Sequence, residues 1–596
     1  MFFLEQRTIE EIIGQYCNNV LGVPFAPQLF KWVPIPFSGE WGISTSFFQL
    51  AAAEVKQKNS GAIVAQRAQE MGTAVAQLLE DHFAEQKVNP FQRIEAVKGY
   101  LNLYYSTPLY SRMVVDGVLE QGKSYGSSAS HGKRVMVEYS QPNTHKAFHV
   151  GHLRNVILGD AVCNILQAAG YEVIRANYIG DIGLHVIKWL WNYMKYHAGE
   201  EPGTDLTRWM GDIYAEADRR LEQDPALDAE VRALFARWDR RDSEVVALWE
   251  KTRRWSMEGF EQIYRRLGTH FDVIYYESEV EEPGKELVEE LIQRGLAIDE
   301  RPAGPVVVKL DEILGLQKET YRVLVVLRSD GTSLYSTKDL ALAIKKFEQF
   351  PLDRSIYVID VRQSLYLQQI YKTLELMGYE WAKRCYHLAY ELVNLPGNVT
   401  MSSREGTVVL LEDLLREAHQ RALEIVREKN PALTTEEMNL VAEQVALGAV
   451  KYPLLARENI RVATFDWQSA LDFNGQAAPY IQYAHVRANS ILRKIESDLP
   501  ASLMPQHELD PNEVQLIDWI SRLPQEIQRA AQEYKPLLLT NLAYELARSF
   551  NDFYQACPVL KAEPEVKNFR IRLVAAAKQT LANILSILGI PAPELM

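Results

Sequence analysis

Cysteine is scarce and scattered. Cys17, Cys163, Cys385 and Cys557 are the four in 596 residues, with no paired spacing, which excludes a disulfide framework or a zinc knuckle as a reading of the sequence. Bound zinc is not expected. No apolar run approaches the roughly 18 residues of a membrane span, and Met1-Phe-Phe-Leu-Glu5-Gln6 lacks the charged-then-apolar layout of a secretory signal. No membrane partner is expected, and the expected compartment is the cytoplasm. Internal repeats and low-complexity segments are absent as well. Positive charge is in deficit: 64 Lys and Arg against 78 Asp and Glu leave a net charge of −14. Taken whole, that balance argues against a nucleic-acid partner, since phosphate calls for cations. Binding depends on local faces, however, and Arg457, Arg461, Arg487, Arg493 and Lys494 are candidates for one. Solvated helix surface is the alternative reading of the same residues.

What is present is a long chain with 47% hydrophobic residues, enough for roughly three or four domains. Residues 1 to about 115 read as a small α/β module, mixing helix-like stretches with the Pro-rich segment Val23 to Pro36. From about 116 to 430 strands and helices alternate, which points to a mostly parallel sheet. A charged helical stretch at about 196–275 interrupts it as an insertion. Strands are expected at Pro305 to Lys309, Tyr321 to Leu327, Ser355 to Ile359 and Tyr386 to Val393, with Ser329-Asp-Gly-Thr332 turning the second back on Ser333 to Tyr335. Residues 431–596 are helical throughout, with Val514, Ile517, Ile520, Leu523 and Ile527 at helical spacing, and form a bundle.

The most informative segment is Gln141-Pro-Asn-Thr-His-Lys-Ala-Phe-His149-Val-Gly-His152. Arg134 to Ser140 reads as a strand before it. Leu153 to Ala169 reads as a helix after it, stopped by Gly170, and Glu172 to Ala176 as a second strand. Strand, helix, strand is a right-handed crossover with its crevice at the strand ends. The helix N-terminus offers unpaired N–H groups, His149 and His152 add ring donors, Gly151 leaves backbone open to a flat base, and Lys146 adds a point charge. Such a turn suits nucleotidyl transfer, in which the α-phosphate of ATP becomes five-coordinate and gains charge. The alternative is that the histidines only cap a helix.

His149-Val-Gly-His152 matches the His-x-Gly-His signature of class I aminoacyl-tRNA synthetases, while Pro142, Asn143, Lys146 and His152-Leu-Arg-Asn155 match the arginine-specific members. Over nearly its whole length the chain resembles the arginyl-tRNA synthetases. The resemblance implies a Rossmann-type parallel-sheet catalytic domain with a helical insertion (116–430), an N-terminal α/β domain contacting the outer corner of tRNA (1–115), and a C-terminal all-α anticodon-binding bundle (431–596). It implies a ligase of protein synthesis that joins L-arginine to tRNA(Arg) through arginyl-adenylate. ATP is then a substrate with magnesium on its phosphates, the chain is a monomer, and activation waits for tRNA. A catalytically impaired paralogue that binds tRNA or arginine is the alternative.

A guanidinium is planar with five donors, so a selective pocket needs carboxylates that accept in pairs. Glu138, on the strand before the turn, and Asp339, in Tyr335-Ser-Thr-Lys-Asp339, are the candidates. By resemblance Tyr335, Asp339 and Gln363 bind arginine and Asn143 holds its backbone end. Glu138, Gln141, Pro142 and His152 complete the expected set. Which carboxylate faces the guanidinium stays open, as does whether Asp181 is a turn residue or a support of the site.

The family's Lys-Met-Ser-Lys-Ser loop corresponds to Thr400-Met401-Ser402-Ser403-Arg404, and both lysines are missing. The resemblance assigns catalysis to Lys146, His149 and His152, with Lys146 supplying the lost cation. It assigns ATP contacts to His149, Gly151, His152, Met401, Ser402, Ser403 and Arg404. At the RNA end, Tyr480-Ile-Gln482-Tyr483-Ala-His485-Val-Arg487 is similar to the family's bundle-opening signature. Tyr480, Gln482, Tyr483, His485, Arg487, Tyr554 and Met596 are expected near splayed bases. Interior packing against the catalytic domain is the alternative for Tyr480 and His485, and bundle core for Tyr554 and Met596.

Overall fold

A computed structural model describes residues 3–24, 30–35, 41–59, 61–86, 89–395, 399–400, 410–495 and 498–596. Strand β1 (Arg134–Glu138) buries Val135, Met136, Val137 and Glu138 in succession, as a parallel strand covered on both faces does. The crossover helix α1 (Val150–Ala168) starts at Val150 rather than Leu153, so His149 is its cap and His152 lies in its first turn. Its buried residues run unbroken from Leu153 to Cys163, not along one stripe. The reason is that helices Leu411–Lys429 and Thr435–Leu455 pack on it from the side away from the sheet. Gly159 permits this density, because a Cβ there would lie 2.3 Å from Tyr139 Cγ.

β2 (Glu172–Ile179) and α2 (Leu184–Tyr196) follow, then, beyond the insertion, β3 (Val273–Tyr276), α3 (Glu277–Gln293), α4 (Tyr335–Gln349), β4 (Arg354–Asp360), α5 (Ser364–Leu376) and β5 (Cys385–Tyr390). The strands lie in the order β5-β4-β1-β2-β3, every pair parallel, with Ile356 opposite Val137 and Val137 opposite Arg175. The chain reverses its direction of travel across the sheet between β1 and β4, which opens a crevice at their C-terminal ends.

The strands expected near 305 and 321 form, as Val306–Lys309 and Val323–Leu327, but they pair antiparallel in a separate sheet with Ile298–Asp299. The turn after them is tight, Arg328 N donating to Thr332 O at 3.0 Å. Its return is a single bridge from Leu327 to Ser333, because α4 begins at Tyr335.

The insertion consists of helices Leu206–Gln223, Asp228–Asp239 and Ser243–Leu267, which with α2 close over buried Trp189, Leu190, Trp238, Trp249 and Trp255. Asp242 caps the longest of them by accepting from Glu244 N and Val245 N, and Gly268 ends it at φ +71. Near the N-terminus, Val33–Pro34, Gly42–Ser46, Tyr100–Tyr105 and Phe91–Val97 form an antiparallel sheet in that order, flanked by helices Phe48–Gln57 and Val64–Ala84. Beyond 430 the long elements are helices, among them Ala478–Leu492, Pro511–Ser521, Leu537–Ala556 and Pro564–Ile587. By contact density Met1–Gly126, Ala484–Gln525 and Glu545–Asn583 make one compact unit, and Ser127–Tyr483, Glu526–Tyr544 and Ile584–Met596 a second. No helix among the described residues is long and apolar enough to cross a membrane.

Candidate active site

The turn leaving β1 is strained. Ser140, Gln141 and His145 sit at φ +77, +50 and +62, left-handed conformations that cost non-glycine residues about 1–3 kcal/mol each. Two buried asparagines hold it: Asn155 accepts from Ser140 N and donates to Val358 O at 2.8 Å, and Asn177 accepts from Gln141 N at 3.0 Å. Gly180 N donates to Pro142 O at 3.1 Å, and a Cβ on Gly180 would lie 2.1 Å from Asn143 Oδ1. The turn is thus stitched to β1, α1, β4 and the end of β2 at once.

His149 and His152 cap the helix reciprocally. Gly151 N donates to His149 Nδ1 at 3.1 Å and His149 N to His152 Nδ1 at 3.3 Å, with the rings stacked 3.9 Å apart. Burial, reinforced by the Lys146 ammonium, pushes His149 down to about 4, and burial foremost holds His152 well below the usual range. Both imidazoles are therefore neutral at pH 7. Because each Nδ1 accepts, each ring carries its proton on Nε2, and capping leaves that donor for another acceptor. Gly151 is required by the same contact: a side chain there would meet the His149 ring at 2.9 Å. Lys146 is half-buried with its ammonium 4.9 Å from the centroid of the Tyr214 ring, and burial lowers its pKa.

Beside the turn, at the ends of β1 and β4, lies a cavity of about 490 Å³. Glu138, Gln141, Asn143, Tyr335, Asp339 and Gln363 all line it, while Pro142 and His152 do not. Its wall also carries residues that sequence reasoning missed, chiefly Glu277, Tyr178, Tyr357, Tyr366 and Tyr371. Three carboxylates face it in different electrostatic states. Glu138 is ion-paired with Lys346, both side chains buried, and accepts from Gln141 Nε2 at 2.9 Å. Glu277 pairs with Lys338 at 2.6 Å; burial raises its pKa and Lys338 opposes the rise. Asp339 accepts from the Tyr366 hydroxyl at 2.6 Å and pairs with no cation among the described residues. Burial pushes its carboxyl up to about 7, with the Tyr366 hydrogen bond acting against it. The hydroxyls of Tyr178 and Tyr371 are buried without a hydrogen-bond partner among the described residues. The cavity is built for a compact ligand that brings one positive charge and several donors.

A family model described as tRNA synthetases class I (R), catalytic domain, matches residues 114–467, and one described as DALR anticodon binding domain matches 481–596. A protein of Clostridium acetobutylicum named arginine--tRNA ligase is 32% identical over 590 residues, covering 98% of this chain and 100% of that one. Its counterpart in Clostridium perfringens is 36% identical over 520 residues, covering 86% and 89%. The Thermus thermophilus arginyl-tRNA synthetase structure superposes with a TM-score of 0.78 at 29% identity, covering 99% of this chain and 100% of that one. The chain belongs to the class I arginyl-tRNA synthetases.

For an arginyl-tRNA synthetase, Glu277 is the most instructive omission. It is the residue directly after β3, a carboxylate at the C-terminal end of a parallel strand, and that position was the available signal. Asp181 holds it there by accepting from Ser278 N at 2.9 Å and Ser278 Oγ at 2.7 Å, while pairing with Arg253 at 2.9 Å. Met401, Ser402, Ser403 and Arg404 lie outside the described residues. Leu410, just after them, bridges to His149. Of the residues expected near RNA, Gln482 is fully buried and donates to Gln444 O and Pro591 O at 3.0 and 2.8 Å, and His485 is buried as well. Tyr480 and Met596 are partly buried, Tyr483 is exposed, and Arg487 stacks on exposed Tyr554 at 4.9 Å.

Proposed function

We propose that this synthetase joins L-arginine to tRNA(Arg) at the site just described, with Asp339 as the carboxylate that receives the guanidinium. The arginine carboxylate attacks the α-phosphorus of ATP, the bond to the β-phosphate oxygen breaks, and pyrophosphate leaves. A hydroxyl of the terminal tRNA ribose then attacks the adenylate carbonyl, gives up its proton, and expels AMP. His149 and His152 donate Nε2–H to the α-phosphate as neutral donors, and Lys146 adds positive charge. Asn143 orients the amino and carboxylate end, while Tyr335 and Gln363 close around the side chain. Magnesium arrives on the ATP phosphates; among the described residues no group of three or more His, Cys, Asp or Glu converges to hold a metal. Residues 1–115, 116–430 and 431–596 divide the work as tRNA-contacting, catalytic and anticodon-binding domains. Arg487 and Tyr554 offer one flat, exposed platform for a base.

The observation that carries this reading is the charge balance of the cavity. Lys346 and Lys338 answer Glu138 and Glu277, and Asp339 is left for a cation that the ligand supplies. Asp339→Asn tests it through tRNA-dependent exchange of pyrophosphate into ATP. A charged hydrogen-bond pair is worth about 1.5–3 kcal/mol, so KM for arginine rises at least about tenfold with KM for ATP unchanged. An unaltered KM for arginine refutes the assignment.

A further inference from the structure

Helix Leu206–Gln223 of the insertion carries Thr207, Gly211, Tyr214 and Asp218 along one face, a spacing that keeps them in line. That face runs along the phosphate turn. At its start the Thr207 hydroxyl donates to Glu412 and Arg208 pairs with Asp413, at the first turn of helix Leu411–Lys429. The start of that helix is in turn held by Leu411 N donating to Phe148 O at 3.0 Å. Further along, Gly211 rests on Ala147 so closely that a Cβ would lie 2.6 Å from the alanine Cβ. Tyr214 comes next, its ring 4.9 Å from the Lys146 ammonium. Asp218, the carboxylate that most favours that ammonium's charge, is itself taken up by Lys188 at 2.7 Å.

We propose that Tyr214 is a positioning residue for the reaction, its ring face holding the Lys146 ammonium beside the histidine turn without neutralising it. The inference rests on the reading of Lys146 as the cation that serves the ATP phosphates. A carboxylate partner would have to be displaced by each incoming triphosphate and would cancel the charge the transition state needs. The quadrupole of a ring attracts the ammonium from one side and leaves its N–H groups free on the other. Because Gly211 and Thr207 fix the helix against Ala147 and Glu412, the ring stays in register with the turn it serves. Tyr214 also packs at the edge of the insertion core, so its place is set by that core and not by the ligand.

The test is pyrophosphate exchange in the presence of tRNA(Arg) on the full chain, comparing Tyr214→Leu, Tyr214→Phe, Lys146→Ala and the double variant Lys146→Ala/Tyr214→Leu. Tyr214→Leu should lower kcat/KM for ATP about tenfold and leave KM for arginine unchanged. Tyr214→Phe keeps the ring face and should recover most of the loss. Adding Tyr214→Leu to Lys146→Ala should cost nothing further, because the ring then has no ammonium to hold. If Tyr214→Leu does not fold, Tyr214→Met takes its place in both the single and double variants. Additive losses, failure of phenylalanine to recover activity, or a Tyr214→Leu enzyme that keeps its kcat/KM for ATP while Lys146→Ala loses it would overturn the positioning role alone. Undiminished exchange in Lys146→Ala would instead remove the underlying role of the lysine.

Discussion

Lys346 and Glu138 form an ion pair whose side chains are 0% and 3% exposed, and Glu138 lines the cavity at the ends of β1 and β4. Glu138 ends β1 and Lys346 lies on α4, so the pair ties the strand that leads into the histidine turn to the helix that carries Asp339. The same contact answers one carboxylate of the cavity, while Asp339 pairs with no cation among the described residues.

Breaking that pair from one side should be severe. Lys346→Met leaves a carboxylate buried without its cation, at a cost of about 3–5 kcal/mol. Adding Glu138→Gln should recover part of the loss, since an amide needs only hydrogen bonds and Gln141 is already in place. Thermal unfolding of the two variants checks the order. Equal stability in Lys346→Met and wild type contradicts the arrangement.

Arginine affinity should rise with pH. The free Asp339 carboxyl is pushed up to about 7 by burial, whereas the bound guanidinium favours the ionised form. Binding therefore expels a proton below pH 7, and Kd tightens as pH climbs towards about 7 and then levels. In the ligand-free protein the same group works the other way. Between about 4 and about 7 the folded chain holds a proton that the unfolded chain has released, so this contribution to stability falls as pH rises. Calorimetric titration of arginine at several pH values is the measurement, and Asp339→Asn should flatten the profile.

Gly180→Ala separates positioning from folding. Its new Cβ would occupy the place of Asn143 Oδ1, 2.1 Å away, so Asn143 must turn out of the cavity. A displacement of about 1 Å is enough to lower kcat/KM for arginine by about a hundredfold. The melting temperature should fall far less than in Lys346→Met. An active alanine variant would show that Asn143 does not orient the amino acid.

Much of the candidate site was legible because it is local. His149, Gly151, His152, Lys146 and Asn143 fall within one turn, and their chemistry depends on where the helix begins, which hydrophobic periodicity marks to within a few residues. Tyr178, on β2, and Tyr366 and Tyr371, on α5, were not legible, since they come from elements far apart in the chain and nothing nearby marks them as facing a cavity, whereas Glu277 carried a signal only in its place after β3. Sheet membership was not legible for a similar reason: Val306–Lys309 and Val323–Leu327 look like any buried strands, and an apolar run does not state whether its partner is parallel. The motif residue Arg154 shows the limit from the other direction. It donates to the carbonyls of Leu392, Asn459 and Arg461 at 3.0, 3.2 and 2.9 Å, serving as a buried staple rather than a ligand contact. At the RNA end Gln482 and His485 are enclosed by the same rule, as a signature can record packing as readily as recognition.

Residue order alone determined that a histidine-bearing turn joins a strand to a helix, that a helical insertion follows, and that the chain ends in helices, because those features arise from neighbours within a few turns of backbone. That Glu138 has a buried lysine partner, while Asp339 has none among the described residues, was decided only in three dimensions. The charge state of a buried carboxylate depends on what packs against it, and the lysine that neutralises Glu138 lies at position 346, on a helix that only the folded chain brings alongside.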